Sequence, residues 1–163
     1  MEIAVLSDTH DHIDHTRKAL ELCKERGVAE IIHLGDFCSP FMIPLFGGFQ
    51  LNAIFGNNDG DHYNILDKIN GIGGKHHDQL YDLETGDKRI ACYHGTSEAI
   101  TEALVRSRMF DAVLSGHTHA RLMERTNNTC HINPGSVRGF DETPSFGILD
   151  TESIEFEFIE ITA

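Results

Sequence analysis

Apolar residues in this chain fall into short runs punctuated by glycine and polar turns. Residues 2–7 (Glu-Ile-Ala-Val-Leu-Ser) form a run without polar alternation, the pattern of a strand covered on both faces. Next, Ala19, Leu20 and Cys23 share one helical face, so a helix is predicted from a cap at Asp14 to about Arg26, with Gly27 ending it. Residues 30–34 and 51–55 read as a second and third strand. A strand–helix–strand opening predicts an α/β fold with parallel pairing at its centre.

The second half has a different rhythm. Residues 79–84 and 88–94 flank Thr85-Gly86-Asp87, which predicts a hairpin. A helix is expected from Ser97 to Arg108, then a strand over 111–115. Another hairpin is expected where 121–126 and 129–132 flank Asn127-Asn128. Two final strands, near 145–149 and 153–161, close the chain. The last alternates Ile154, Phe156 and Phe158 with Glu155 and Glu157, so one face is wet. With no repeat, low-complexity tract or Pro/Ser-rich linker, residues 1–163 read as a single domain.

Composition narrows the function. At 40% hydrophobic, the 163 residues suffice for a packed core, and no apolar run approaches the roughly 20 residues of a membrane span. The start, Met1-Glu2-Ile3, lacks the basic and apolar regions of a signal peptide, so a cytoplasmic location is expected. A formal charge of −13 argues against bulk nucleic-acid binding, because backbone phosphates repel an acidic surface. It leaves a small phosphate ester open, since bound divalent cations invert the field locally. Cys23, Cys38, Cys92 and Cys130 show no ligand spacing and read as free, mostly buried thiols, Cys38 included. Eleven histidines are more than a domain of this size ordinarily carries, and several lie within two residues of an aspartate.

Five segments concentrate this chemistry: Asp8-Thr9-His10, Gly35-Asp36, Gly56-Asn57-Asn58-Asp59, His94-Gly95 and Gly116-His117-Thr118-His119. Most follow a predicted strand, where open α/β sheets bind ligands. Carboxylate oxygen and imidazole nitrogen together suit borderline divalent metals. A D-x-H or H-x-H pair in an extended segment sends both side chains to one side. Glycine before a ligand lets the backbone turn sharply.

In order and spacing these blocks resemble the calcineurin-like metallophosphoesterase family, in its small phosphodiesterase branch, with Asn133-Pro134-Gly135-Ser136 matching a small-member signature. The resemblance implies a four-layer α/β/β/α sandwich of two mixed sheets flanked by helices. It implies two divalent ions (Mn, Ni, Fe or Zn): Asp8, His10 and His119 on the first, Asn57, His94 and His117 on the second, and Asp36 bridging both. A hydroxide bridging the ions would then attack a phosphodiester. Homodimers occur in such families, although no residue here marks an interface. The alternatives are a phosphomonoesterase or nucleotide pyrophosphatase of the same fold, or a non-catalytic binding scaffold like the retromer subunit.

Asn58 departs from the family pattern, which has histidine or cysteine there. An amide cannot protonate a leaving group, though it can donate a hydrogen bond to a phosphoryl oxygen. Asp59 is expected to orient a ligand histidine, and Arg138 is a candidate phosphate contact, with a solvent-facing role as the alternative. His12, His15, His62, His76, His77 and His131 lie outside the pattern and are expected in surface or turn roles. His33 is read as a strand histidine with an ordinary hydrogen bond.

Overall fold

The computed structural model describes residues 1–162. In chain order the elements are β1 (Glu2–Leu6), α1 (Ile13–Glu25), β2 (Glu30–His33), β3 (Gln50–Ala53), α2 (His62–Gly71), β4 (Lys75–His76), β5 (Leu80–Thr85), β6 (Lys88–Tyr93), α3 (Glu98–Arg106), β7 (Ala112–Leu114), β8 (Arg121–Thr126), β9 (Thr129–Pro134), β10 (Ser145–Asp150) and β11 (Glu155–Glu160). A 3₁₀ stretch, Pro40–Phe46, precedes β3.

The unbroken apolar run of β1 has a simple cause. Ile3 and Val5 enter one core while Ala4 and Leu6 enter another, so neither face meets water. β1 pairs in parallel with β2, β2 with β3 and β3 with β4, while β10 and β11 add antiparallel strands on the other side of β1. In the second sheet β6, β7 and β9 run parallel, flanked by antiparallel β5 and β8.

Two mixed sheets flanked by helices result. Helices α1 and α2 and the 3₁₀ stretch cover the outer face of the first sheet through residues such as Leu20, Phe46 and Ile69. Ile3, Val5, Ile32, Ile90, Leu114 and Ile132 fill the space between the sheets. Val105 of α3 covers Ala91 and Val113 on the far face of the second sheet.

Several local expectations need correction. His12, not Asp14, caps α1: its Nδ1 accepts from the His15 amide at 3.2 Å. Asp14 lies in the first turn, where its charge suits the helix dipole. The 3₁₀ stretch, α2 and β4 were not anticipated, and Ile154 belongs to the turn before β11. All four cysteines are free. No helix among the described residues is long and apolar enough to cross a membrane.

Candidate metal centre

The loops after β1, β2, β3, β6 and β7 all leave the carboxyl ends of parallel strands and meet at one edge of the molecule. The paired side chains do not converge through extended backbone, as the sequence suggested. Asp8 (φ 56°), His10 (39°), Asp36 (61°), His117 (67°) and His119 (61°) are all left-handed. Each such residue costs about 1–2 kcal/mol, and five of them in one cluster is strain gathered at a site. Three glycines are needed for closeness: a Cβ at Gly35, Gly56 or Gly116 would overlap the Gly56 backbone, Asp36 Oδ1 or Ser7 Oγ respectively, and Gly35, at φ 98°, also supplies the sharp turn.

Asp8 Oδ1 lies 3.5 Å from His10 Nε2 and 3.3 Å from His119 Nε2. Asp36 Oδ2 stands 3.3 Å from both His10 Nε2 and His94 Nε2. His94 Nε2 is 3.2 Å from Asn57 Oδ1, and its Nδ1 is 2.8 Å from the Leu34 carbonyl, which makes Nδ1 the protonated nitrogen. The His117 ring meets His94 edge-on at 5.3 Å, and its amide donates to Asp8 Oδ2 at 3.1 Å. The fold therefore gathers all seven expected residues. Two groups have ligand atoms close enough to share an ion: Asp8, His10 and His119; and Asp8, Asp36 and His94. Asp8 is thus common to both groups, while one oxygen of Asp36 faces a histidine of each.

These side chains fit divalent cations. Asp8 Oδ1 and His10 Nε2 are buried without a hydrogen-bond partner. Such orphans are expensive unless something else satisfies them. The field asks for positive charge as well. Burial would raise the Asp8 and Asp36 carboxyls, but the imidazoles against them outweigh it and hold both well below the usual carboxylate range. Burial would lower His10, yet Asp36 and Asp8 carry it up to about 9. Metal ligation by these imidazoles requires that proton to leave.

Residues around the cluster hold it in shape. Asn133 Nδ2 donates to the Gly116 carbonyl at 2.8 Å, Ser136 Oγ to the Asp8 carbonyl at 2.9 Å, and the Arg138 amide to the same carbonyl at 3.2 Å. The Asn-Pro-Gly-Ser segment is therefore a clamp on two loops of the cluster. Asp59 does not orient a histidine. Its buried carboxylate accepts from the amides of Asp36, Cys38 and Gly56 at 2.8–2.9 Å and so pins two loops together. Cys38, expected only to pack, places Sγ 3.3 Å from His10 Nδ1. Burial raises its thiol to about 12, so it stays protonated.

His33 is more than an ordinary strand histidine. Its Nδ1 accepts from the Gly35 amide at 3.1 Å, which leaves the Nε2 proton to face Thr9 Oγ1 at 3.3 Å. One buried ring thus braces two loops of the cluster while stacking on Phe37 at 3.6 Å. Burial pushes His33 down to about 3, against an ordinary value of about 6.5. A depressed histidine pKa means that the unfolded chain takes up the proton first. Its stabilisation is complete above about pH 6.5 and is lost as pH falls toward 3, at about 1.4 kcal/mol per pH unit. In urea unfolding of the metal-free protein between pH 4 and 6.5, His33→Asn, which keeps an acceptor near Nδ1 but cannot titrate, should flatten the slope by that amount. An unchanged slope would exclude His33 as its source.

An aromatic cap was not anticipated. Phe140, half exposed and left-handed (φ 44°), stacks parallel on His119 at 4.1 Å and edge-on to His10 at 4.9 Å. The exposed Arg138 guanidinium rests 4.5 Å over the other side of this arrangement, on the Phe140 ring. Asn58 turns inward: its amide N–H donates to Asp36 Oδ1 and its Nδ2 to Asp36 Oδ2, both at 2.8 Å. Most remaining histidines have structural partners. His15 binds the Val137 and Arg138 carbonyls, His62 stacks on Phe55, His76 accepts from the Asp78 amide, and His77 meets Asn52.

Two recesses open beside the cluster. One, of about 500 Å³, runs from His117 between α3 and the β8–β9 hairpin, with His131 in its wall. The other, of about 230 Å³, lies past Asn57 and His94, against Phe55 and His62. Thr96 borders both.

Residues 1–154 match the family model described as the calcineurin-like phosphoesterase superfamily domain. A phosphodiesterase of Methanocaldococcus jannaschii is 36% identical over 163 residues, covering 98% of each chain. The solved structure of an archaeal phosphodiesterase superposes with a TM-score of 0.92 at 35% identity, over 98% of this chain and 99% of that one. YfcE, a phosphoesterase from E. coli, has the same fold (TM-score 0.71, 19% identity, 99% and 100% covered).

Proposed function

Because the chain belongs to the calcineurin-like phosphoesterase superfamily, we propose that it is a phosphodiesterase working with two divalent ions. Asp8, His10 and His119 would hold one ion and Asn57, His94 and His117 the other, with Asp36 shared between them. The observation that carries this reading is the single Asp36 oxygen set 3.3 Å from a histidine of each group. A purely structural role would leave Asp8 Oδ1 and His10 Nε2 buried with nothing to satisfy them. When bound, two such ions supply a water ionised near neutral pH and stabilise charge on the phosphoryl oxygens.

The chain's own residues do the rest. His94, fixed by the Leu34 carbonyl, presents Nε2 inward, and Cys38 does the same for His10 through Nδ1. Arg138, steadied on Phe140, is placed to draw in the phosphate on the side of His119. Neither recess is lined by a lysine or arginine. On a chain of net charge −13 this favours a singly charged diester over a doubly charged monoester.

Asn58 holds the bridging carboxylate and cannot give a proton to a leaving group. The leaving oxygen must therefore depart nearly unprotonated. The test is a series of aryl and alkyl phosphodiesters, with p-nitrophenyl phosphate alongside, assayed at constant manganese occupancy. Diesters should be preferred, and rates should fall steeply as leaving-group pKa rises. Provided its ring turns from Asp36 to reach the leaving oxygen, Asn58→His should help alkyl esters most, within the 10²–10⁴-fold typical of general-acid help, about 10²-fold being expected. It should do little for p-nitrophenyl esters. Turnover of the monoester alone would favour a phosphomonoesterase, and no turnover by the loaded protein a scaffold. A wild-type rate insensitive to leaving-group pKa would mean that another residue donates the proton.

A further inference from the structure

The two recesses are unequal, and they meet at Thr96 beside the proposed ligands His94 and His117. A phosphodiester has two alcohol arms diverging from one phosphorus, so a phosphate seated at the cluster directs its arms outward on different sides. The larger recess falls in the size range of small-molecule sites, about 300–1,000 Å³, and the smaller falls below it.

The larger recess has a definite chemistry. Along β9, Cys130 and Ile132 face the space between the sheets, so the alternation turns His131 toward α3 and into the recess. Leu122 of β8 and Thr101 of α3 form opposing walls, and Thr96 and His117 lie at the end nearest the cluster. Leu122, threonine methyl groups and the imidazole of His131 make a neutral slot that suits a flat ring. Its outer reach is acidic. Glu98 borders it, and past His131 the groove continues for a further 260 Å³ beside Glu102 and Glu124. Arg106 also lines that extension, but it is held by Glu102 at 2.6 Å.

Resting on the phosphodiesterase reading, we propose that this recess receives one ester arm of the substrate, a ring-bearing alcohol without a further phosphate, such as a nucleoside or an aryl alcohol. The smaller recess takes the other, shorter arm. The Glu98 rim disfavours any arm that carries a second phosphate, which separates this substrate class from oligonucleotides and dinucleotides extended by phosphates.

Slowly reacting phosphonate monoesters carry one negative charge and one alcohol arm, so they isolate the recess from the chemistry. The experiment is titration calorimetry on the manganese-loaded protein with phenyl methylphosphonate, methyl methylphosphonate, thymidine 5′-methylphosphonate and its 3′-phosphorylated form. The phenyl or thymidine ester should bind at least about tenfold tighter than the methyl ester. Whichever of the two binds tighter identifies the arm as aryl or nucleoside. The added 3′-phosphate should weaken thymidine-ester binding, and Glu98→Gln should lessen that penalty.

Filling the recess by Leu122→Trp should remove the ring preference and leave methyl-ester binding unchanged. Thr101→Phe, entering from the helix side, should do the same if the strand variant fails to fold. A wild-type protein with no ring preference, or filled variants that retain it, would overturn the proposal. Turnover of bis(p-nitrophenyl) phosphate is followed in parallel. Turnover without ring preference removes only the recess, and ring preference without turnover removes only the activity.

Discussion

Exhaustive chelation is expected to abolish hydrolysis of bis(p-nitrophenyl) phosphate, with a loss of more than about 10³-fold, and Mn²⁺ or Ni²⁺ is expected to restore it. The magnitude follows from what the protein lacks without the ions. One charge-stabilising donor at a reacting oxygen is commonly worth about 10²–10³-fold, and on the proposed mechanism the ions would supply the nucleophile besides. Arg138 is the one cation assigned to the substrate, and it lies on Phe140 at the rim. In the stripped cluster the buried carboxylates of Asp8 and Asp36 would instead face a protonated His10, leaving nothing there to generate a nucleophile. Activity and metal content should be measured on the same samples. Full activity with metal near zero would sink the mechanism.

Asp36→Ala is expected to cost both ions, and activity with them, whereas His10→Ala should cost chiefly one. Asp36 Oδ2 faces His10 and His94 equally, and the carboxylate also receives two hydrogen bonds from Asn58. Removing it loosens a histidine on each side and leaves the Asn58 amide without its acceptor. Losing His10 removes one nitrogen from the group containing Asp8 and His119, while His94 keeps its Leu34 anchor. Metal stoichiometry after gel filtration decides the matter. Two ions retained by the Asp36 variant would show that the bridge is misassigned, and attention would pass to Asp8, which belongs to both groups.

What the sequence made legible has a physical boundary. β1 and the helix through Ala19, Leu20 and Cys23 were readable because burial imposes a period on neighbouring residues. Helix α2 was not, since only Ile65 and Ile69 are buried in a segment of Asn, Asp, Lys and Gly. The 3₁₀ stretch carries Pro44 inside it and keeps no regular period. The seven cluster residues were legible through the resemblance of their ordered blocks to a known family, and most of those blocks stand just after strands. Residues acting on the cluster from afar left no such trace. Phe140 reaches His119 from an otherwise unremarked loop, and Cys38 meets His10 only because two left-handed loops face each other. His33 looked like any strand histidine until the Gly35 amide and the Thr9 hydroxyl were seen on its two nitrogens. The signal for Asp59 was present but misread: aspartate three residues after a tight glycine is a receptor for loop amides.

The polar contacts of the cluster repeatedly join one sheet to the other: Asp8 with His119, Asp36 with His94, Asn57 with His94, and the Leu34 carbonyl with His94. This makes the site a late arrival in the life of the chain. During synthesis the first half emerges with Asp8, His10, Asp36 and Asn57, a set with one imidazole among its oxygens and too few nitrogens to choose among metals. On the two-ion proposal, discrimination would begin only when His94, His117 and His119 have left the ribosome and the two sheets have closed on Ile3, Ile90 and Ile132. The cell's metal pool would then be sampled by the finished fold, and a fault anywhere in that inter-sheet layer would surface first as a protein carrying the wrong ion, or none.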